Sequence, residues 1–295
     1  MSLWSGTLNL DKKKLCIAIP ASVVSDTPHL REKTSKIGLI GRAAAIFRVN
    51  EIIVYRDSFK ADQSRDMDLM MTLLAYMETP QYLRKRLFKL EPQLRYAGIL
   101  PPLRTPHHPL NRKMKNLNVG EYREGVTISK TKEGVLVDIG VEHPALMLGK
   151  QSATGKRVTV KILKIDRRVE VEMANRAVIP DYWGYTVTAE KQSLGALLKN
   201  RNFDLCVATS KYGVTIAEVA AEIADRWRKA NSILVEFGAP TRGLFEIVED
   251  EGLNINDVSD LVVNTIPGQG TETVRTEEAL VASLSILNVI LISKA

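Results

Sequence analysis

Apolar residues early in the chain fall in short unbroken blocks separated by helical periodicity. Residues 15–19 (LCIAI) and 51–55 (EIIVY) read as buried strands. Between them Ile37, Ile40, Ala44 and Phe47 share one face of a helical segment that runs from Pro28 to Val49. Leu69, Leu73 and Met77 mark a second helix from Asp66, and a short basic helix is expected over residues 81–90. A βαβα opening of this kind predicts a parallel sheet. At residues 100–109 (LPPLRTPHHP) four prolines in ten residues exclude helix and central strand, which reads as a crossing between domains.

Between residues 122 and 174 the period changes to two. Val126 and Ile128, then Val135, Val137, Ile139 and Val141, then Val158, Val160 and Ile162, then Val169, Val171 and Met173 alternate with polar residues. Glycines at 125, 134, 140, 149 and 155 punctuate them. A compact barrel of about five short strands, an OB-fold or a close relative, suits this length. After Pro180 strand and helix alternate again. Residues 204–209 form a strand, Thr215 to Glu218 reads as a capping box opening a helix to Lys229, residues 232–236 form another strand, and a helical segment ends near Glu251.

The last junction, DLVVNTIPGQGTETVRTEEAL from Asp260 to Leu280, enters as a strand and leaves as a helix with Leu280, Leu284, Leu287 and Leu291 on one stripe. Gly268 and Gly270 let the backbone turn and approach a ligand closely, although an ordinary βα connection has the same composition. The expected fold class is α/β, a parallel-sheet domain interrupted by an inserted β-barrel. Residues 1–110 and 177–295 belong to the sheet domain and 111–176 to the barrel. Loops 208–212, 237–243 and 264–276 would then gather at the carboxyl edge of the sheet, where open α/β sheets bind ligands.

With 295 residues, 45% hydrophobic and 25% charged, the chain can bury two domain cores. The longest apolar run, near residues 280–292, is broken by Ser283, Ser285 and Asn288 and is too short to span a bilayer. No cleavable leader is visible, so a cytoplasmic location and no membrane partner are expected. Cys16 and Cys206 stand alone inside apolar runs and read as reduced core residues. The net charge of +7 favours a polyanionic partner, and residues 111–176 hold fourteen Lys and Arg against eight Asp and Glu. The basic excess favours nucleic-acid binding by the barrel over a β-rich insertion that only braces the sheet domain.

Several chemistries lose support. Residues 149–157 (GKQSATGKR) are a near miss to a phosphate-binding loop, with one residue too many between the glycines and Arg157 where Ser or Thr should hold magnesium. No G-x-G-x-x-G follows the first strand, which leaves a dinucleotide site little support. His29, His107, His108 and His143 lack metal-ligand spacing, so no metal is expected. Without a nucleophile elbow or a triad, cofactor-borne chemistry is the economical option. S-adenosylmethionine suits a site built mostly of backbone.

Six segments carry a resemblance: GRAAAIFRVNEIIVY from Gly41, ETPQYLRKRLF from Glu78, AGILPPLRTPHHP from Ala97, YREG from Tyr122, YWGYTV from Tyr182 and NTIPGQGTETVRTEEA from Asn264. Over nearly its whole length the chain resembles the SPOUT class of methyltransferases, and within it the subfamily with an OB-like insertion. The resemblance implies S-adenosylmethionine as donor, RNA as acceptor, a carboxyl-terminal trefoil knot, and a homodimer whose site is completed across the interface. Ribosomal RNA and uridine N3 are the favoured substrate and atom. It assigns cofactor binding to Thr209, Ser210, Gly238, Ala239, Gly243, Ile266, Pro267, Gly268, Gln269, Gly270, Thr273 and Val274. The segment IGRAAAIFRV is similar to the first motif of TrmH-type enzymes, whose arginine works near the acceptor, and the matching position is Arg42. Residues 35–39 read SKIGL and lack that motif's asparagine, which puts a ribose-hydroxyl mechanism in doubt. Asn264 and Arg275, beside the third loop, complete the candidate catalytic set, while a plain ion pair is the competing role for Arg42 and Arg275. Two other functions remain open. One is a non-catalytic RNA-binding or assembly protein that keeps the knot for dimerisation; the other, methylation of a protein side chain, is disfavoured by the basic barrel.

Overall fold

The computed structural model describes residues 13–148, 153–200 and 203–292. Of the segment resembling a phosphate-binding loop, residues 149–152 lie outside the described residues. Two compact units divide the chain. One takes the described residues up to Ala75, Gln93–Pro101 and those from Tyr185 onward; the other takes Tyr76–Pro92 and Pro102–Gly184.

The first unit is built on a parallel sheet. Its elements are β1 (Lys14–Pro20), α1 (Leu30–Ile46), β2 (Glu51–Arg56) and most of α2 (Ser64–Glu78), then β8 (Thr186–Ser193) and α4 (Leu194–Lys199) after the barrel. There follow β9 (Leu205–Thr215), α5 (Ile216–Lys229), β10 (Ser232–Glu236), α6 (Leu244–Glu249), α7 (Ile255–Val258), β11 (Leu261–Asn264) and α8 (Thr276–Ile292). The six strands run in the order β11-β9-β10-β1-β2-β8, every neighbouring pair parallel. Cys16, Ala18, Tyr55, Cys206 and Leu234 pack against Leu194 and Leu198 of α4, Leu244 and Ile247 of α6 and Ile255 of α7. The alternate residues Ile17, Ile19, Ile52, Val54, Val207 and Val235 are equally buried, so both faces are covered, which is why these strands show unbroken apolar runs. Cys16 and Cys206 are buried free thiols, and Leu280, Leu284 and Leu287 turn inward from α8.

Two departures from the sequence expectation have local causes. Among the described residues β8 pairs only with β2, and its whole length is half-buried or exposed, so TVTAEKQS lacks the apolar block that marks the inner strands. Thr215 precedes α5 without a capping hydrogen bond from its side chain; it is still paired with Asn264 as the last residue of β9, and strand runs straight into helix.

The second unit is a closed barrel of β3 (Tyr122–Lys130), β4 (Gly134–Asp138), β5 (Ala145–Leu148), β7 (Val169–Met173) and β6 (Arg157–Ile165), in that order around the barrel. Val135, Val137, Ile139, Val160, Ile162, Val169 and Val171 fill it. β5 has no alternation to read, because Ala145, Leu146 and Met147 are all buried. α3 (Gln81–Leu87) belongs to this unit and stops three residues short of the expected Leu90, at an extended Phe88.

Four of the sequence segments meet inside this unit. Glu124 accepts hydrogen bonds from Thr159 Oγ1 (2.6 Å), Trp183 Nε1 (2.6 Å) and Arg176 (2.9 Å) and pairs with Arg157, while Glu78 pairs with Arg157 and His107. Burial alone would raise the Glu124 carboxyl, yet Arg157 and Arg176 outweigh it and hold the pKa down to about 2. Trp183 is accordingly a core residue whose indole N–H is spent on Glu124, not a free stacking surface.

Candidate functional site

Three adjacent strands, β10, β9 and β11, frame a cleft of about 220 Å³, enclosed by the loops that follow β10 and β11 and by a segment within β9. The first wall begins in an interruption of the ladder. β11 pairs Val262 with Ala208 and then Val263 with Val214, so residues 209–213 leave the sheet and return. Gly213 is required where they return, because a Cβ there would lie 2.7 Å from the backbone of Val262 and Val263. The second wall, residues 237–245, is cross-braced by Ala239 N–H donating to Arg242 O at 2.9 Å. Gly238 lies where a Cβ would press on Arg242 O and Gly243 Cα at 3.2 and 3.3 Å. The third wall, residues 264–276, is tied to the second by Thr276 Oγ1, which donates to Gly238 O at 2.9 Å.

Of the residues assigned to the cofactor, Thr209, Ser210, Gly238, Ala239, Gly243, Ile266, Gln269, Thr273 and Val274 line this cleft. Pro267, Gly268 and Gly270 do not; they are exposed on the outer side of the third loop, where Gly268 has φ +72°. Asn264 lines the cleft but is engaged at both ends, its Oδ1 accepting from Ile266 N–H (3.0 Å) and its Nδ2 donating to Lys211 O (3.1 Å). Asn264 thus joins the first loop to the third. Arg42, half-buried on α1, and the exposed Arg275 are outside the lining. Glu277 pairs with Lys36 of the same chain at 3.5 Å.

Several lining residues had no assigned role in the sequence reading: Lys211, Tyr212, Arg242, Phe245, Glu246 and Glu272. Lys211, Tyr212, Arg242 and Glu272 reach the cleft outside any helical periodicity, and Phe245 and Glu246 reach it from the first turn of α6. Arg242 is held by Asp57 O (3.2 Å) and Asp250 Oδ2 (2.7 Å). Behind the second wall, burial pushes the Glu236 carboxyl up to about 8, against the pull of the Ser259 hydroxyl. Among the described residues no group of three or more His, Cys, Asp or Glu could hold a metal ion, and no helix is long and apolar enough to cross a membrane.

A family model described as "Putative RNA methyltransferase" matches residues 14–287. The chain belongs to this family. Its relatives include a 28S rRNA (uridine-N(3))-methyltransferase of Drosophila melanogaster, 33% identical over 308 residues that cover 92% of this chain and 61% of the fly protein. The human protein of the same name is 32% identical over 304 residues, covering 92% of this chain and 77% of its own length. An uncharacterized protein of Haloarcula marismortui is 32% identical over 284 residues, 92% of this chain and 97% of the relative. Membership in this RNA methyltransferase family implies a methyl donor, and the cleft suits one. Its apolar surfaces, Phe237, Leu244, Ile266 and Val274, can take a heterocycle, and its backbone-rich loops offer amides and carbonyls to the edge of that ring. Glu246 and Glu272 can face cationic groups, which suits an amino-acid sulfonium.

Proposed function

We propose that this methyltransferase uses S-adenosylmethionine to methylate uridine N3 in ribosomal RNA, and that it is a SPOUT-class enzyme with a trefoil knot and an OB-like RNA-binding insertion. The observation that carries the reading is the convergence of three loops from three neighbouring parallel strands on one backbone-lined cleft. The names of the fly and human relatives support the acceptor and the atom. The barrel order β3-β4-β5-β7-β6 supports the OB-like assignment.

In this reading Thr209, Ser210, Gly238, Ala239, Gly243, Ile266, Gln269, Thr273 and Val274 hold the donor, with Pro267, Gly268 and Gly270 shaping the outer turn of the third loop. When bound, S-adenosylmethionine supplies an electrophilic methyl group on a positively charged sulfur. Uridine N3 must give up its proton, and the Lys211 ammonium at the rim favours the anion that results. Asn264 keeps the first and third loops in register. Arg42 and Arg275 serve the acceptor side, reached across a homodimer. Exposed Leu39 and Ile46 on α1 and Val281 and Val289 on α8 give that dimer an apolar surface. The reading places the protein in the cytoplasm.

RNA capture falls to the basic unit. Tyr76–Pro92 and Pro102–Gly184 together hold nineteen Lys and Arg against eleven Asp and Glu, while the rest of the chain holds 22 against 23. Phosphate contacts of this kind position RNA without reading bases. The test is methyl transfer from radiolabelled S-adenosylmethionine to a large-subunit ribosomal RNA transcript, followed by nucleoside digestion. N3-methyluridine is expected as the labelled product; label in another nucleoside, or none in RNA, overturns the assignment.

A further inference from the structure

Residues 209–213, which step out of the β9–β11 ladder, are fastened along their length. Thr209 Oγ1 donates to Glu236 O at 2.7 Å, Tyr212 N–H donates to Ser210 Oγ at 3.2 Å, and Lys211 O accepts from Asn264 Nδ2 at 3.1 Å. The Lys211 ammonium reaches Glu272 O at 3.3 Å, and Gly213 rests on the β11 backbone. A segment held in this way has little freedom to turn a side chain inward. At its crest Tyr212 is 73% exposed on the rim of the cleft. Its ring meets the edge of Phe245 at 6.3 Å and 78°, and Lys211 Nζ lies 5.2 Å from its centroid.

A braced aromatic ring held exposed at the rim of a cleft offers a flat face on which another ring can stack. We infer that Tyr212, backed by Phe245, is a shelf on which the acceptor nucleobase stacks, with its edge turned toward the donor cleft. The inference rests on the RNA-methyltransferase reading and deepens it by naming the residue that positions the base. A π-face offers stacking energy that depends little on base identity. The Lys211 ammonium beside the same ring adds a charge that a phosphate or a deprotonated base edge can meet. Tyr212 therefore orients the acceptor, while selection of the nucleotide falls to the groups around its edge.

The experiment compares the wild type with Tyr212→Ala, Tyr212→Phe and Tyr212→Trp. Steady-state methyl transfer to the large-subunit ribosomal RNA transcript is measured beside calorimetric affinity for S-adenosylmethionine. Loss of the ring should lower kcat/KM for RNA by roughly 5- to 100-fold. Cofactor affinity should stay unchanged, and phenylalanine or tryptophan should restore most of the transfer. Undiminished kcat/KM in Tyr212→Ala would overturn the shelf. So would a parallel drop in S-adenosylmethionine affinity, which would make Tyr212 part of the donor pocket. A wild type that binds the cofactor but transfers nothing to RNA overturns the reading of function itself, and the shelf with it.

Discussion

Glu236 ends β10 with its carboxyl wholly inside the sheet unit. Oε2 accepts from Ser259 Oγ at 2.8 Å, while Oε1 has no hydrogen-bond partner among the described residues. Burial raises its pKa from 4.5 to about 8, the Ser259 hydroxyl opposes the rise, and Asp260 adds to it. The folded protein therefore keeps this carboxyl protonated through neutral pH, whereas the unfolded chain ionises it. Because folding takes up a proton, the stability contributed by Glu236 is complete below pH 4.5 and is lost as pH climbs to about 8. At about 1.36 kcal/mol per pKa unit, the loss between pH 5 and pH 8 comes to roughly 4 kcal/mol. Glu236→Gln keeps the acceptor for Ser259 and cannot ionise. Relative to the wild type, its stability should rise by roughly 4 kcal/mol between those two pH values, whatever offset the unpartnered amide introduces. Urea unfolding of both proteins at pH 5 and pH 8 measures the change. A stability difference that is the same at both pH values would refute the argument, since it would mean that Glu236 is already ionised when folded.

Gly213→Ala should weaken S-adenosylmethionine binding and destabilise the sheet unit by roughly 1–3 kcal/mol, because its Cβ collides with backbone and not with a movable side chain; unchanged calorimetry and melting temperature would contradict it. Glu124→Gln leaves Arg157 and Arg176 with Glu78 as their remaining carboxylate, at an expected loss of roughly 1–3 kcal/mol in thermal unfolding followed by Trp183 fluorescence. In the wild type the same carboxylate contributes above pH 4.5, and that contribution is lost as pH falls toward about 2. RNA affinity should fall steeply with added salt, and removal of exposed Lys130 or Lys132 should reduce the log–log slope by about 1 each in filter binding. A flat slope would take the barrel out of RNA capture.

Strands buried on both faces and strands buried on one write different patterns into a sequence, and both were legible. The unbroken runs at residues 15–19, 51–55 and 232–236 became β1, β2 and β10 of a parallel sheet, and the period-two stretch from Val126 to Met173 became a closed barrel. β8 carries neither pattern because it is an edge strand with no buried residue, and the four-residue β5 (Ala145–Leu148) is too short for either to show. The three loops could be read because their place follows from strand order, and nine of the twelve expected cofactor residues line the cleft they form. What stayed hidden depends on register. Nothing in LCVATSKYGVT shows that β11 skips from Ala208 to Val214, yet that skip puts Lys211 and Tyr212 on the rim. Likewise Glu78, His107, Glu124 and Trp183 stand far apart in sequence, and only folding gathers them around Arg157 and Arg176.

The cleft between residues 209–213, 237–245 and 264–276 is proposed as the methyl-donor site. Isothermal titration of S-adenosylmethionine into the wild-type protein and into Gly238→Val tests it most directly. Gly238 already has Arg242 O at 3.2 Å from where a Cβ would stand, so a branched side chain narrows the cleft from its second wall. Saturable binding of one cofactor per chain is expected in the wild type and none in a folded Gly238→Val protein. No heat of binding in the wild type, or equal affinity in the variant, would contradict it.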